Sequence, residues 1–104
     1  MVGIAEKLGK DLKRMRLGKG RHEVQLWLRD GSYLHFRHDR HTRWVQAGGG
    51  EEGGLAKSFC EQIENFELRG RLLYVWFIDQ SRIRVWQGVF GRLKQRLGSR
   101  KSYE

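Results

Sequence analysis

Val24-Gln25-Leu26-Trp27-Leu28-Arg29-Asp30-Gly31-Ser32-Tyr33-Leu34-His35-Phe36-Arg37 alternates apolar and polar residues on both sides of an Asp-Gly-Ser turn signal. Alternation with period two is strand spacing, and the turn between two such runs makes them a β-hairpin, over residues 22–29 and 33–37. Val24, Leu26, Leu28, Leu34 and Phe36 then share one face. Gln25, Trp27, Arg29, Tyr33, His35 and Arg37 share the other. A two-residue Asp-Gly loop would pair Leu28 with Tyr33 and mix the faces. A three-residue loop that pairs Leu28 with Leu34 and Leu26 with Phe36 keeps one face apolar, and the hydrophobic pattern sets register.

A second hairpin follows the same scheme. Residues 72–78, Leu-Leu-Tyr-Val-Trp-Phe-Ile, are the most apolar strand of the chain, Asp79-Gln80-Ser81 turns, and residues 82–87 return. At an offset of 49, Trp27, Asp30 and Ser32 fall on Trp76, Asp79 and Ser81. The apolar face falls on Leu73, Val75, Phe77, Ile83 and Val85. The opposite face carries Tyr74, Trp76, Ile78, Arg82, Arg84 and Trp86.

Outward from the hairpins, Ile4, Leu8, Leu12 and Met15 form a stripe at helical spacing, so a helix is expected over 4–17, with Lys7, Lys10, Lys13 and Arg14 off the stripe. Residues 43–47 read as a short third strand. Residues 48–54 are a flexible glycine-rich loop. Leu55, Phe59, Ile63 and Phe66 suggest a second helix over 55–68. Residues 89–98 read as a short basic helix carrying Arg92, Lys94 and Arg96, and 99–104 as a flexible basic tail. Leu8, Leu12 and Met15 align with Phe59, Ile63 and Phe66 at an offset of 51, so the chain reads as helix–hairpin written twice plus a C-terminal helix. The expected fold is α+β: one antiparallel sheet of four to five strands, helices on one face, in a single domain over 1–98.

The chain has 104 residues, 21 Lys+Arg against 12 Asp+Glu, and a net charge of +9. The excess is six in residues 1–50 and three in 51–104. Such a field attracts phosphates or acidic surfaces. Arginines interleaved with aromatics on a sheet face suit nucleic acid, since guanidinium forks pair with phosphate and rings stack on bases. Trp27, Arg29, Tyr33, His35, Arg37, Arg40, Arg43, Tyr74, Trp76, Arg82, Arg84 and Trp86, with Lys10, Lys13 and Arg14, are the expected nucleic-acid contacts, for RNA or DNA, at low sequence specificity. The alternative is a dimeric adaptor or chaperone-like module. In it the aromatic face is the interface of a homodimer, a state expected of the chain under either function, and the basic surface docks an acidic partner; a separate reading folds the C-terminal helix over that face.

The single cysteine, Cys60, permits no internal disulfide and fits a reducing compartment. The first residues lack the apolar core of a signal peptide, and no run approaches the ~20 apolar residues of a membrane span. These features place the protein inside the cell, in cytoplasm or nucleus, with no membrane partner. Other motifs carry little chemistry. His35, His38 and His41 are spaced by three, but His35 and His38 leave a strand on opposite faces, and Asp39-Arg40 reads as a turn. Gly48-x-Gly50-x-x-Gly53 matches a dinucleotide fingerprint, but Glu51 and Glu52 would repel a pyrophosphate and its neighbours are hairpins. Cys60, next to Phe59, reads as a buried structural thiol. No catalytic constellation is legible, so no enzyme activity, metal or cofactor is expected.

Overall fold

The computed structural model of the chain describes residues 3–18, 22–87 and 93–99. Its elements are α1 (Ile4–Asp11), β1 (Leu12–Leu17), β2 (His22–Leu28), β3 (Tyr33–His38), β4 (Arg43–Gly48), α2 (Gly54–Cys60), β5 (Ile63–Arg69), β6 (Leu72–Phe77), β7 (Ser81–Gln87) and β8 (Leu93–Ser99). The α+β class holds. The single sheet does not: there are two antiparallel sheets of four strands, in the orders β1-β2-β3-β4 and β5-β6-β7-β8. All ten residues of the expected apolar face are at most 1% exposed.

Three expected helices are partly or wholly strands, and the reasons are local. Residues 12–17 form β1 and residues 63–69 form β5, so each expected long helix is a short helix followed by a strand. Both strands carry a register shift, between Leu12 and Arg14 and between Ile63 and Asn65. A bulge adds one residue to the strand, so positions three apart can share a face. Leu12 and Met15 are both buried, as is Phe66. A bulged strand thus imitates the three-residue spacing of a helix. Residues 93–99 form β8, paired with β7, instead of a helix. Leu93 and Leu97 are four apart, which suits a helix, but also two strand steps, and the free edge of β7 offers a ladder of backbone hydrogen bonds. Arg92 and residues 100–104 lie outside the described residues.

The first hairpin has a three-residue loop, with the Leu28 amide donating to the Ser32 carbonyl at 2.8 Å. Its register is Leu26 opposite Leu34 and Val24 opposite Phe36, two residues from the expected pairing. A shift of two preserves the faces, so the pattern alone could not exclude it. Gly31 takes the left-handed third loop position at φ 89°. In the second hairpin Gln80 takes the same position at φ 75°.

The chain divides into two compact units, Asp11–Glu61 and Met1–Lys10 with Gln62–Glu104. The first holds β1–β4 and α2, and the second holds β5–β8 and nearly all of α1. The helix that opens each half of the chain therefore belongs with the other half's sheet. Matching hydrogen bonds make this exchange. Asp30 Oδ1 accepts from the Ser32 amide (2.9 Å) and hydroxyl (2.5 Å), and its Oδ2 accepts from the Leu55 amide at the start of α2 (2.9 Å). The Ser32 hydroxyl oxygen accepts from the Ala56 amide at 3.3 Å. In the second unit, Asp79 Oδ1 accepts from the Ser81 amide (2.9 Å) and hydroxyl (2.5 Å). Asp79 Oδ2 accepts from the Ile4 amide (2.9 Å), and Ser81 Oγ accepts from the Ala5 amide (3.0 Å). Each Asp-x-Ser turn thus caps a helix from the other half, satisfying amides that have no partner within the helix. The helices have only 8 and 7 residues, too short to be stable alone, so these caps matter.

α1 also meets β8. Gly9 is buried, its carbonyl accepts from Gln95 Nε2 at 2.7 Å, and a Cβ there would come within 2.9 Å of Leu97 Cδ2. The glycine that weakens the helix in isolation is the one that lets it approach the strand.

Candidate functional site

Strand register settles which side chains share the unburied face of each sheet. On the β1–β4 sheet, Arg14 lies opposite Trp27 and Arg16 opposite Gln25. Tyr33 lies opposite Trp27, His35 opposite Gln25 and Gln46, and Arg37 opposite Trp44. The Arg14 guanidinium sits 4.1 Å above the Trp27 ring, and that of Arg37 lies 5.7 Å from Trp44. Both are cation–π distances. His35 meets Glu23 at 2.8 Å and the edge of Trp44 at 5.1 Å. Trp27 and Tyr33 are tilted neighbours at 6.4 Å. Arg37 Nε is buried with no hydrogen-bond partner.

On the β5–β8 sheet the same face carries Asn65, Glu67 and Arg69, then Leu72, Tyr74 and Trp76, then Arg82, Arg84 and Trp86, with Arg96 and Gly98 at the edge. Tyr74 and Trp76 stack at 5.8 Å with planes 11° apart. Arg69 lies 5.1 Å from the Tyr74 ring and is ion-paired to Glu67. Arg82 is only 6% exposed and stands opposite Gly98. Leu72, Arg84, Trp86, Gln95 and Arg96 line an open groove.

The expected residues divide accordingly. Trp27, Tyr33, His35, Arg37 and Arg14 come together on one sheet, and Tyr74, Trp76, Arg82, Arg84 and Trp86 on the other. Lys13 and Arg14 belong to β1, not to a helix. Lys13, Arg29, Arg40 and Arg43 are exposed, Arg29 and Arg40 in turns. Lys10 lies in the last turn of α1 and meets Glu6 at 3.7 Å. Ile78, expected on the sheet face, is in the turn and 55% exposed. Sequence reasoning missed Arg16, Trp44, Arg69 and the outward placement of Arg96, because each depends on a strand read as helix or on cross-strand register; Leu72, also missed, was legible by its period-two spacing from Tyr74. It also missed the two caps. Their signal was the triplet pair Gly3-Ile4-Ala5 and Gly54-Leu55-Ala56, repeated at the same offset of 51 as the apolar positions.

Local electrostatics follow from hydrogen bonding. The Leu55 amide, then the Ser32 hydroxyl and amide, hold the Asp30 carboxyl below its usual range. Burial works to raise Asp79, but the Ser81 hydroxyl and the Ile4 and Ser81 amides outweigh it and lower it. The His41 amide, with the Thr42 hydroxyl and amide, lowers Asp39 to about 2. Burial pushes the Cys60 thiol up, and its Sγ lies 3.6 Å from the Val45 carbonyl. The glycine-rich segment is a run of hydrogen-bonded turns leading into α2, with the Gly53 amide donating to the Gly49 carbonyl at 2.7 Å. The first amides of α2 are taken by Asp30 and Ser32, which occupy the place a pyrophosphate would need.

Among the described residues no three of His, Cys, Asp and Glu are grouped to hold a metal, and no helix is long and apolar enough to cross a membrane. Compared with known proteins, the chain matches no family model, no curated protein and no solved structure.

Proposed function

We propose that this protein is a non-catalytic nucleic-acid-binding protein of low sequence specificity, acting through the arginine–aromatic faces of its sheets and its exposed basic residues. The observation that carries the reading is that both sheets, built from different halves of the chain, present rings interleaved with guanidinium groups on the face opposite their buried one. Rings supply stacking that tolerates any base, and guanidiniums supply phosphate contacts. Groups that read base edges are few: Gln25 and Gln46 on one face and Asn65 on the other.

Fluorescence anisotropy with labelled single- and double-stranded DNA and RNA, at several salt concentrations, tests this. Affinity falls steeply with salt, with a slope of about −0.7 to −0.9 per phosphate contact. Binding weaker than ~100 μM for every nucleic acid at low salt lies below ordinary non-specific affinity and ends the reading. The dimeric adaptor, with an acidic protein partner, would then take its place. The expected homodimer is checked separately by light scattering across concentrations.

A further inference from the structure

We propose that the groove on the β5–β8 sheet is a subsite for one nucleotide of a single strand, with the phosphate between Arg84 and Arg96 and the base against Trp86 and Leu72. This rests on the nucleic-acid reading above and narrows it to unpaired strands. Four observations lead there. Arg84 and Arg96 are direct cross-strand partners on β7 and β8. Leu72 and Trp86 are the neighbouring partners on β6 and β7. All four line one open groove on the unburied face. Among the described residues neither Arg84 nor Arg96 meets a carboxylate, and Glu67, on the same face, is held by Arg69.

Like charges placed directly opposite on a sheet destabilise it. Two arginines in one cross-strand pair therefore favour an anion between them, and a phosphodiester oxygen pair accepts from both forks. The remaining lining is an indole and an aliphatic side chain, which offers a flat apolar seat beside the charge. A base in a duplex is already stacked and paired, so its ring cannot lie on Trp86. An unpaired base can. The stacked pair Tyr74 and Trp76 extends the surface, since Tyr74 is the register partner of Arg84.

The test uses the full chain with a labelled oligothymidylate and a labelled duplex of similar length. Trp86→Leu should weaken oligothymidylate about 5- to 150-fold, the range of one lost base stack, and duplex less than about twofold. Arg84→Gln and Arg96→Gln should each flatten the single-strand salt slope by less than about 0.7, since the other guanidinium still meets the phosphate. The double variant should flatten it by no more than about 0.7, because both groups serve one phosphate. If the double variant flattens the slope by twice that, or not at all, the shared-phosphate subsite is wrong. Equal losses on duplex and single strand for Trp86→Leu also overturn it. Circular dichroism checks that the variants fold. If Trp86→Leu does not, the arginine pair decides the matter. A wild-type protein that binds no nucleic acid ends the broader reading, whereas wild-type binding with unaffected variants ends only the subsite.

Discussion

Asp30→Ala tests the helix exchange directly. The substitution removes the acceptor for the Ser32 amide, the Ser32 hydroxyl and the Leu55 amide. Loss of a side-chain cap costs about 1 kcal/mol. Ser32 is fully buried, so its hydroxyl then loses its acceptor with no water to replace it, a further cost of about 1–3 kcal/mol. The expected loss is about 2–4 kcal/mol, a large share of the roughly 5–15 kcal/mol that holds an ordinary domain. In urea unfolding this lowers the midpoint by about 1–3 M, at a slope near 1.5 kcal/mol/M. Asp79→Ala should cost less, about 1 kcal/mol, because its bonds to Ser81 and Ile4 match in partner type and length but Ser81 is only half-buried, so water can replace the lost acceptor. Asp30→Asn keeps an oxygen acceptor and should cost under about 1 kcal/mol. The double variant Asp30→Ala/Ser32→Ala should cost less than the sum of its singles, since the stranded hydroxyl is then gone. A loss below about 0.5 kcal/mol for Asp30→Ala, or strict additivity in the double variant, would show that the turn does not hold α2.

Gln80→Gly should raise stability by up to about 1 kcal/mol in the same assay, because Gln80 holds a left-handed conformation that glycine adopts without strain. Gly31→Ala should lower it by about 1 kcal/mol although a Cβ there meets no atom within 4 Å, so the cost is backbone strain alone. Acid should destabilise the protein below about pH 4. Asp30, Asp39 and Asp79 are all depressed, so their contribution is fully present above the ordinary aspartate value near 3.8. It is lost as pH falls through their folded values, about 2 for Asp39, and urea midpoints that stay constant from pH 5 to pH 2.5 would contradict this. Cys60 should react with iodoacetamide at neutral pH more slowly than a free cysteine in a peptide, since its thiol is raised by burial and the thiolate is the nucleophile. Charge reversal at Arg84 should weaken nucleic-acid binding, whereas at Arg82, 6% exposed, it should unfold the protein, as circular dichroism would show.

Period-two alternation and the Asp-x-Ser turns, read from the sequence alone, determined the two hairpins, their buried faces and the likeness of the two halves. Those features rest on neighbours two residues apart and on local turn chemistry, which any strand pairing preserves. Trp27, Tyr33, His35, Arg37, Tyr74, Arg84 and Trp86 were legible as face residues for that reason. The tertiary structure alone decided the rest. Leu12–Met15 and Ile63–Phe66 fit a helix as well as a bulged strand, and only pairing with β2 and β6 selects the strand. Leu93–Ser99 becomes β8 because the edge of β7 needs a partner, and the spacing of Leu93 and Leu97 by itself suits a helix as well as a strand. Arg96 meets Arg84, and Trp44 meets Arg37, only through register set by those ladders. The caps that bind Leu55 to Asp30 and Ile4 to Asp79 span 25 and 75 residues. Local periodicity carries no term for such distances; backbone groups that must find partners do.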